Sequence, residues 1–523
     1  MDVKVLNKDY LYLDNITMEE YTKIKLEFTK ELSNAYILKK RCPSIDTKEE
    51  FMRETTISVG LWLELVNTIK KYNINANFCP EFNDIIYDST ITLDAFSEYV
   101  NNLFKNAPKI KPKNYQIEGV YNILKYRRCC VEVSTNGGKT LMCYLLFKYL
   151  KDVLGIKHIL YITPNTNLTT QSSGKFADYD KECGIVSDWT FDEIHGKAKK
   201  KDVYDSDIIF GNYQSLVKKP NSFFKMFDIV IVDECHHTVA KSITSILYRC
   251  DNAKYKIGLT GTFPKDPHDS FFIQNVLGPM VYQLTAYDLI NIEKFSTPVH
   301  VTGLILNYMS ENDKKELYDR RCAMPKGDTK IGGQLFDEER AIARRSEKRF
   351  DYICTMAKRT TKNTLIIFTD VKTEYGKRVY TELKDYSDKY VYYIDGDTDT
   401  IKRDYAKQSM EDDTTGNTII VASIGCFSEG IDISNLWNII LIETTKSDTS
   451  ISQLLGRGMR RFPGKEKTMF IDIGDDYCYG GGPKNDNYLM KHFNERAKIY
   501  MQRKFPYRQV EIDLTEQRSS NLF

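Results

Sequence analysis

A strand-like run, a glycine-containing loop and the start of an apolar helix follow one another at residues 129–140. The loop reads Ser134-Thr135-Asn136-Gly137-Gly138-Lys139-Thr140 and directly follows the apolar run 129–133. At a helix start, backbone N–H groups of such a loop can wrap a phosphate, and glycines allow its close approach. Lys139 is then placed to bridge β- and γ-phosphates, and Thr140 to offer its hydroxyl to Mg²⁺. Val133 stands where the strict pattern has its first glycine, so the loop alone indicates nucleotide binding only weakly.

The second informative segment is an apolar run that ends in two adjacent acids. Residues 227–232 are followed by Asp233-Glu234-Cys235-His236. In a nucleotide site, Asp233 would hold Mg²⁺ through water and Glu234 would polarise the attacking water. Two carboxylates at a strand end could also form a solvated turn, but the phosphate loop upstream makes this alternative weak.

The third segment is Ser452-Gln453-Leu454-Leu455-Gly456-Arg457-Gly458-Met459-Arg460-Arg461. On a helix, the spacing of four and three predicts that Gln453, Arg457 and Arg460 share one face. The two arginines can then reach a phosphate from the far side of a cleft. The alternative is a charged surface helix.

Length and composition limit the remaining protein classes. The chain has 523 residues, enough for three domains, and its 41% hydrophobic and 28% charged residues indicate a globular protein. The net charge of +2 gives no global sign of a nucleic-acid partner, so a basic channel would have to be local. The 12 cysteines form no CxxC pair and none of the 7 histidines shows zinc spacing with them. We expect reduced thiols.

The chain start and the apolar segments bear on location. Met1-Asp2-Val3-Lys4-Val5 has no signal-peptide core, and no apolar run approaches the roughly 18 residues of a membrane span. We expect a cytoplasmic protein, in a bacterial or host cytosol, without a membrane partner.

Continuous apolar runs rich in β-branched residues predict buried parallel strands. In the first half they lie at 158–163, 207–210, 228–232 and 256–260, and in the second at 364–368, 390–394, 418–422, 438–442 and 468–473. Helical segments separate most of them, which predicts two successive α/β domains that meet near 295–301. The charged segment 308–333 is predicted to be a loop or insertion. Residues 1 to about 105 form a separate small region, with an amphipathic helix over 58–72.

In chain order these segments resemble the motifs of superfamily 2 helicases. Weaker matches in the same fixed order are Tyr115-Gln116, Thr163-Pro164-Asn165, Gly211-Asn212-Tyr213-Gln214-Ser215, Thr260-Gly261-Thr262, Phe368-Thr369-Asp370, Ile394-Asp395-Gly396 and Ser428-Glu429-Gly430-Ile431-Asp432. The resemblance covers about residues 110–475. It implies two tandem RecA-like parallel-sheet domains with an ATPase site built between them.

The resemblance also implies roles for individual residues. Tyr115 and Gln116 would read the adenine, and Gly430 and Asp432 would contact the nucleotide, Asp432 at the ribose. Thr260, Gly261 and Thr262 would couple hydrolysis to motion. The residues that would contact the nucleic-acid backbone are Thr163, Pro164, Asn165, Gln214, Ser215 and Thr369. The catalytic set would be Lys139, Asp233, Glu234, Gln453, Arg457 and Arg460, with Thr140 and Asp233 at the metal.

A narrower resemblance is to the phage recombination helicases. It rests on Pro112 before Tyr115-Gln116, on Lys241-Ser242-Ile243 after the Asp-Glu-Cys-His box, on Val421-Ala422-Ser423 with Phe427-Ser428, and on the tail Asn487-Tyr488-Leu489-Met490-Lys491-His492. It implies a DNA helicase that uses ATP and Mg²⁺ to unwind branched DNA, migrate junctions and regress forks in recombination and repair. The implied partners are single-stranded and branched DNA, with single-strand-binding or recombination proteins as further candidates.

We therefore predict an α/β chain of four parts. A small α+β accessory domain spans 1–105, RecA-like domains span 106–297 and 298–484, and a helical tail spans 485–523. In that tail Leu489, Phe493, Arg496 and Tyr500 lie near one helix face, which favours packing on the second domain over duplex contact. A monomer is favoured, and the oligomeric state stays open.

Three alternatives remain beside a DNA helicase. A duplex translocase of a restriction system would favour an added nuclease or methylase segment, and none is visible. An RNA helicase is disfavoured by Asp-Glu-Cys-His in place of Asp-Glu-Ala-Asp. A scaffold with an inactive ATPase fold is disfavoured by the complete catalytic set.

Overall fold

Two seven-stranded sheets organise the chain, one in each of two units, Met1–Leu284 and Thr285–Phe523. The computed structural model describes residues 1–42, 44–107, 110–164, 166–185, 189–196, 198, 201, 204–324, 329–428, 433–480 and 485–515. Within these ranges, no helix combines the length and apolar character needed to cross a bilayer.

The N-terminal region forms a small mixed sheet with strand order β5-β6-β2-β1-β7 and a separate antiparallel two-stranded sheet, β3-β4. Its strands are β1 (Asp2–Val5), β2 (Tyr10–Asp14), β3 (Thr29–Glu31), β4 (Lys48–Glu50), β5 (Met52–Arg53), β6 (Thr56–Ser58) and β7 (Asn77–Phe78). Its helices are α1 (Met18–Glu27), α2 (Ala35–Arg41), α3 (Trp62–Lys71), α4 (Glu81–Ile86) and α5 (Leu93–Leu103). The amphipathic helix expected at 58–72 is confirmed as a 3₁₀ turn, Val59–Leu61, that continues into α3.

The first large sheet has the order β10-β11-β9-β12-β13-β8-β14, and all its neighbouring strands are parallel. Its strands are β8 (Arg128–Val133), β9 (Ile159–Thr163), β10 (Phe191–Ile194), β11 (Ile208–Asn212), β12 (Ile229–Asp233), β13 (Tyr255–Thr260) and β14 (Met280–Leu284). The helices of this part are α6 (Asn114–Lys125), α7 (Lys139–Asp152), α8 (Thr166–Cys183), α9 (Tyr213–Leu216), α10 (Asn221–Phe224), α11 (Lys241–Arg249) and α12 (Pro267–Leu277). Since the strands are parallel, their carboxyl ends share one edge, where ligands bind in such sheets.

The second large sheet has the order β17-β18-β16-β19-β20-β15-β21 and is also parallel throughout. Its strands are β15 (Val299–Asn307), β16 (Thr364–Phe368), β17 (Tyr390–Ile394), β18 (Thr418–Ser423), β19 (Asn438–Leu441), β20 (Thr468–Asp475) and β21 (Tyr507–Asp513). Its helices are α13 (Glu311–Cys322), α14 (Thr329–Arg345), α15 (Glu347–Lys358), α16 (Tyr375–Asp385), α17 (Thr400–Asp412), α18 (Ile424–Ser428), α19 (Asp448–Gly458) and α20 (Tyr488–Gln502). The predicted α/β class with two parallel sheets, a small α+β region and a C-terminal helix is therefore confirmed.

The N-terminal sheet is docked on the amino edge of the first large sheet. The Asp9 carboxylate accepts a hydrogen bond from Arg128 at the start of β8 and lies 3.6 Å from Lys256 at the start of β13. The Ser58 hydroxyl donates to the Asn275 carbonyl at 2.6 Å. Phe271 of α12 is buried in the core of the N-terminal region. The region therefore lies at the edge opposite to the carboxyl ends of β8 and β13.

The segment 308–333 differs from its prediction as a loop or insertion. It contains α13 and the start of α14. The Ser310 side chain caps α13 by accepting from the Asp313 N–H, and Leu317 is buried. Only a narrow face of this very polar helix is covered, so the sequence carries almost no apolar period there.

The C-terminal helix packs on the second sheet, as expected, and a strand follows it that we do not predict. The four residues Leu489, Phe493, Arg496 and Tyr500 are all buried. Strand β21 then pairs with β15 in parallel, so the tail completes the sheet. The first unit ends at Leu284 and the second begins at Thr285, and within the second unit the Thr297 N–H donates to the Met459 carbonyl at 2.8 Å. The domain boundary at 297/298 stays a prediction.

Candidate active site at the carboxyl edge of the first sheet

The phosphate loop connects β8 to α7 and is fixed by a glutamine from α6. Gly138 has φ +81°, and a Cβ atom there would lie 2.2 Å from Gln116 Nε2. The Gln116 amide donates to the Gly137 carbonyl at 3.1 Å, while its oxygen accepts from the Lys113 N–H at 2.9 Å. Ser134 N–H donates to the Leu284 carbonyl and Gly137 N–H to that of Ser134. The turn therefore requires glycine at position 138 and holds its shape before any phosphate binds.

The remaining loop residues have the geometry of an anion cradle. Asn136 adopts a left-handed conformation with φ +74°, and Thr135 and Thr140 are half-buried. Helix α7 begins at Lys139. The free N–H groups at the N-terminus of this helix therefore point at the loop. Tyr115 is buried next to Gln116, and its carbonyl accepts from the Tyr282 hydroxyl at 2.8 Å.

Lys139 meets the acid pair across the site. Its Nζ lies 3.7 Å from Glu234 Oε1 and donates to the Val133 carbonyl at 3.3 Å. Burial opposes ionisation of Glu234, but Lys139 and His236 lower its pKa below the ordinary value. An ionised Glu234 therefore balances the lysine charge that phosphates would otherwise balance.

Asp233 lies deeper, at the end of β12. Its Oδ2 accepts from the Tyr161 hydroxyl at 3.0 Å, and its Oδ1 accepts from the Glu234 N–H at 3.0 Å. Burial and the neighbouring Glu234 charge raise the pKa of Asp233 to about 6. A divalent cation would favour its ionised form, and carboxylate with hydroxyl oxygens is the ligand set that Mg²⁺ prefers. Asp233 and Thr140 thus fit Mg²⁺.

The turn Thr260-Gly261-Thr262 ties the acid pair to the phosphate loop. Thr260 Oγ1 lies 3.3 Å from Glu234 Oε2, 3.0 Å from His236 Nδ1 and 2.9 Å from the Thr262 carbonyl. Gly261 N–H donates to Glu234 at 3.5 Å. A Cβ at Gly261 would lie 3.3 Å from Lys139 Nζ and 3.4 Å from Thr135 Oγ1. Three separate segments thus meet at one carboxylate.

Two residues of this site are missed by the sequence analysis. Tyr161 is hidden within an apolar strand, where nothing distinguishes its hydroxyl from a core aromatic. His236 lies two residues after Glu234, so its position in the box is a usable signal. Burial lowers the pKa of His236 to about 4, so a neutral imidazole contacts Thr260.

The residues expected to contact nucleic acid differ in accessibility. Thr163 is fully buried, and its hydroxyl lies 2.6 Å from that of Thr169. The enclosed hydroxyl supports the strand end within the protein, and the contact of Thr163 with nucleic acid stays a prediction. Pro164 is half-buried and Asn165 lies outside the described residues. Gln214 is exposed on α9, and the Ser215 N–H is capped by the Asn212 side chain at 3.0 Å.

In the second unit, Thr369 follows β16. Its hydroxyl and N–H both bind Glu443 Oε2, at 3.1 and 2.7 Å. The hydroxyl is therefore engaged within the protein, and the contact of Thr369 with nucleic acid stays a prediction. Gly430 and Asp432 lie outside the described residues.

The arginine segment is only partly a helix. Gln453 and Arg457 lie on α19, but this helix ends at Gly458, so Arg460 is not on the same helical face. A Cβ at Gly458 would lie 3.0 Å from Thr468 Cγ2 and 3.3 Å from Val299 Cγ2. The absence of a side chain at Gly458 therefore lets the end of α19 pack closely against the sheet. This corrects the continuous helix predicted from the spacing. The structure brings together the loop, the acids and the 260–262 turn, whereas Gln453, Arg457 and Arg460 belong to the second unit.

Comparison with known proteins gives matches along both units. Residues 109–265 match the family model "Type III restriction enzyme, res subunit", and residues 348–461 match "Helicase conserved C-terminal domain". The ATP-dependent DNA helicase uvsW of Enterobacteria phage T4 is 29% identical over 470 residues, 86% of this chain and 88% of that protein. The chain is a superfamily 2 helicase. The expected family, similar to UvsW, is thereby confirmed.

Two further similarities show the range of this helicase fold. The endonuclease subunit of the type I restriction enzyme EcoAI of Escherichia coli is 23% identical, covering 67% of this chain and 44% of that protein. The solved structure of Saccharomyces cerevisiae Dbp5 with RNA and ADP BeF3 has a TM-score of 0.53 at 14% identity, covering 81% of this helicase and 96% of Dbp5. The latter shows the fold alone. The similarity to uvsW and the two family matches show an ATP-dependent helicase.

Proposed function

We propose that the protein is a DNA helicase that acts on branched or forked DNA in recombination and repair. The observation that carries the proposal is the position of Glu234, which contacts both Lys139 and the turn at Thr260 and Gly261. Binding or loss of a γ-phosphate would change the contacts of the carboxylate that holds this turn. The choice of DNA is supported by the similarity to uvsW, whose name describes a DNA helicase.

The site residues suggest how ATP is hydrolysed. Phosphates bound by the loop would draw Lys139 away from Glu234 and free this carboxylate to orient the attacking water. Thr140 and Asp233 would hold Mg²⁺, which supplies charge neutralisation at the phosphates. Tyr161 would keep the Asp233 carboxylate in place through its 3.0 Å hydrogen bond.

The second unit would complete the reaction. We assign Arg457 and Arg460 to the γ-phosphate in the nucleotide-bound state and Gln453 to their support. Asp432 and Gly430 keep the nucleotide contacts expected from the sequence. Because neither unit alone would hold all these groups, nucleic acid bound to both should favour the competent state and raise turnover.

Contact with DNA should be made through its phosphates. Exposed Gln214 and half-buried Ser215 offer neutral groups just after the end of β11. A motor that steps along many sequences must bind phosphates rather than read bases. We expect salt-sensitive binding with little base preference, by a monomer that works with single-strand-binding or recombination proteins.

The test compares ATPase and unwinding on single-stranded DNA, forked DNA, a four-way junction and RNA of equal length. Glu234→Gln on each substrate is the control for contaminating activity. We expect forks and junctions to be unwound and to stimulate turnover more than RNA does. Equal stimulation by RNA, or turnover without unwinding of any DNA, contradicts the proposal.

A second candidate is a duplex translocase of a restriction system. It is favoured by the match of residues 109–265 to the res-subunit model and by the similarity to the EcoAI subunit. Displacement of a third strand from a triplex, without separation of the underlying duplex, would support this alternative over unwinding.

A further inference from the structure

A buried lysine, Lys465, donates hydrogen bonds to backbone carbonyls at and near Arg460. Lys465 is 8% exposed, and its Nζ donates to the carbonyls of Gly458 at 3.0 Å, Arg460 at 2.9 Å and Ser434 at 3.3 Å. An ammonium group has three protons to donate, so three carbonyl acceptors match its full capacity. We call Gly458, Met459 and Arg460 the arginine turn.

Two threonines hold the same turn from the sheet side. The Thr297 hydroxyl donates to the Arg460 carbonyl at 3.0 Å, and the Thr468 hydroxyl donates to the Gly458 carbonyl at 2.7 Å. Carbonyls at a helix C-terminus lack helical partners and carry partial negative charge, so a cation is favourable there. Lys465 therefore contributes the only charge of the three side chains that grip these carbonyls.

Lys465 also reaches a second stretch of backbone, at Ser434. In the sequence, Ser434 lies two residues after Asp432, the last residue of the segment expected to contact the nucleotide. The Ser434 and Asn435 N–H groups donate to Glu411 at 2.8 and 3.1 Å, which fixes this stretch on α17. One ammonium group thus joins the backbone at Ser434 to the backbone that carries Arg460.

We propose that Lys465 is a positioning residue that sets the backbone of Arg460 and links it to the backbone at Ser434. The inference rests on the proposed role of Arg460 in ATP hydrolysis. Lys465 itself touches neither reacting atoms nor nucleotide in this scheme. Its loss should therefore lower kcat and leave ATP binding to the phosphate loop nearly unchanged.

The charges around Lys465 predict a pH dependence of kcat that a purely structural role would not produce. Burial and the Arg460 charge lower the pKa of Lys465 to about 7, while Glu411 opposes the shift. The protonated form, with three donors, prevails below that value. As pH rises through about 7, the ammonium group loses its charge and one donor, so its grip on the carbonyls weakens.

The experiment measures DNA-stimulated kcat and KM for ATP in the full-length protein. The variants are Lys465→Met, Lys465→Arg and Arg460→Ala, with Lys314→Met as matched control, since Lys314 is another buried lysine of this unit, paired with Glu311 on α13. We expect Lys465→Met to lower kcat about tenfold with KM changed less than about twofold. Lys314→Met should leave kcat unchanged, and Lys465→Arg should restore part of it.

The pH arm keeps the inference testable if Lys465→Met folds poorly. Arginine stays protonated, so the ratio of wild-type to Lys465→Arg kcat should fall as pH rises from 6 to 8.5, while common ionisations cancel. A flat ratio, or full kcat in a folded Lys465→Met protein, overturns the inference. If Arg460→Ala itself keeps stimulated turnover, it is the proposed arginine role that fails.

Discussion

The two large sheets share one strand order but use the carboxyl edge differently. In the fourth position of each order stand β12 and β19, and each leads into an acid. Glu234 after β12 contacts Lys139 at 3.7 Å and a loop built for phosphate. Glu443 after β19 is 6% exposed and accepts hydrogen bonds from Arg344 at 2.6 Å and from the N–H groups of Thr369 and Asp370.

The same edge in the second sheet is therefore filled with permanent counter-charges. Arg349 is fully buried and donates two hydrogen bonds to the Asp475 carboxylate. It also donates to the Tyr375 hydroxyl and to the Ile442 carbonyl. In the first sheet the corresponding groups have long, weak contacts that a nucleotide could replace. The two sheets therefore have the same topology at the carboxyl edge, but the partners of the acids differ. These partners determine whether the edge can bind a ligand or only stabilises the fold.

The sharpest test of the comparison removes the lysine of the first edge. Lys139→Ala should reduce ATP turnover about a thousandfold, because no other group would follow the γ-phosphate into the transition state. Steady-state ATPase assays with saturating DNA measure the loss. Lys151→Ala, at the last turn of the same helix, is the control and should keep near wild-type turnover. Substantial turnover in Lys139→Ala would contradict the assignment of the carboxyl edge of the first sheet as the ATPase site.

The second test neutralises the acid of the first edge. Glu234→Gln should lower kcat about a hundredfold while ATP and Mg²⁺ still bind, because the amide keeps the size of the side chain but cannot activate water. Nucleotide binding is followed by fluorescence titration and turnover by phosphate release. Wild-type turnover in this variant would contradict the assignment of the attacking-water residue.

The third test applies the same change to the second edge. Glu443→Gln should lower the free energy of unfolding by about 2 kcal/mol, since Arg344 would lose its buried counter-charge. The affinity for nucleotide should change little. Denaturant unfolding of Glu443→Gln is compared with Glu382→Gln, whose partner Lys358 is partly exposed and whose loss should cost far less. If Glu443→Gln had the stability of the wild type, the contacts of Glu443 would not be what stabilises the carboxyl edge of the second sheet.

The sequence predicts the first edge better than the second for a physical reason. The loop at 134–140 and the acids at 233–234 act through short, local patterns, so their context can be recognised. Glu443, Arg349 and Lys465 act through partners far away in the chain, and single charged residues carry no such pattern. Strands β15 and β21 pair with each other across two hundred residues, and the end of α19 depends on contacts of Gly458 with the sheet. Spacing alone could not place Arg460 beyond that helix.

The smallest expected effect concerns the opposite, amino edge of the first sheet. There Asp9 of the N-terminal region meets the buried side chains of Arg128 and Lys256. A protein truncated near residue 108 should stay folded if the N-terminal region is an independent accessory domain. This docking instead predicts that truncation destabilises the first unit, because charged and apolar surfaces would lose their cover.

Asp9→Asn tests that docking without deleting the region. It should lower the free energy of unfolding by about 1 kcal/mol, less than a fully buried pair because Asp9 is partly exposed. Asp14→Asn is the matched control at the other end of β2, where the pair with Lys4 is more exposed. Burial opposes ionisation of Asp9, but Arg128 and Lys256 lower its pKa below the ordinary 3.8. A depressed carboxyl pKa stabilises the fold above about 3.8 and loses this contribution as pH falls below it, so the difference from wild type should vanish in acid. Equal stability of both proteins at pH 7 would mean that the amino edge holds the N-terminal region by apolar contacts alone.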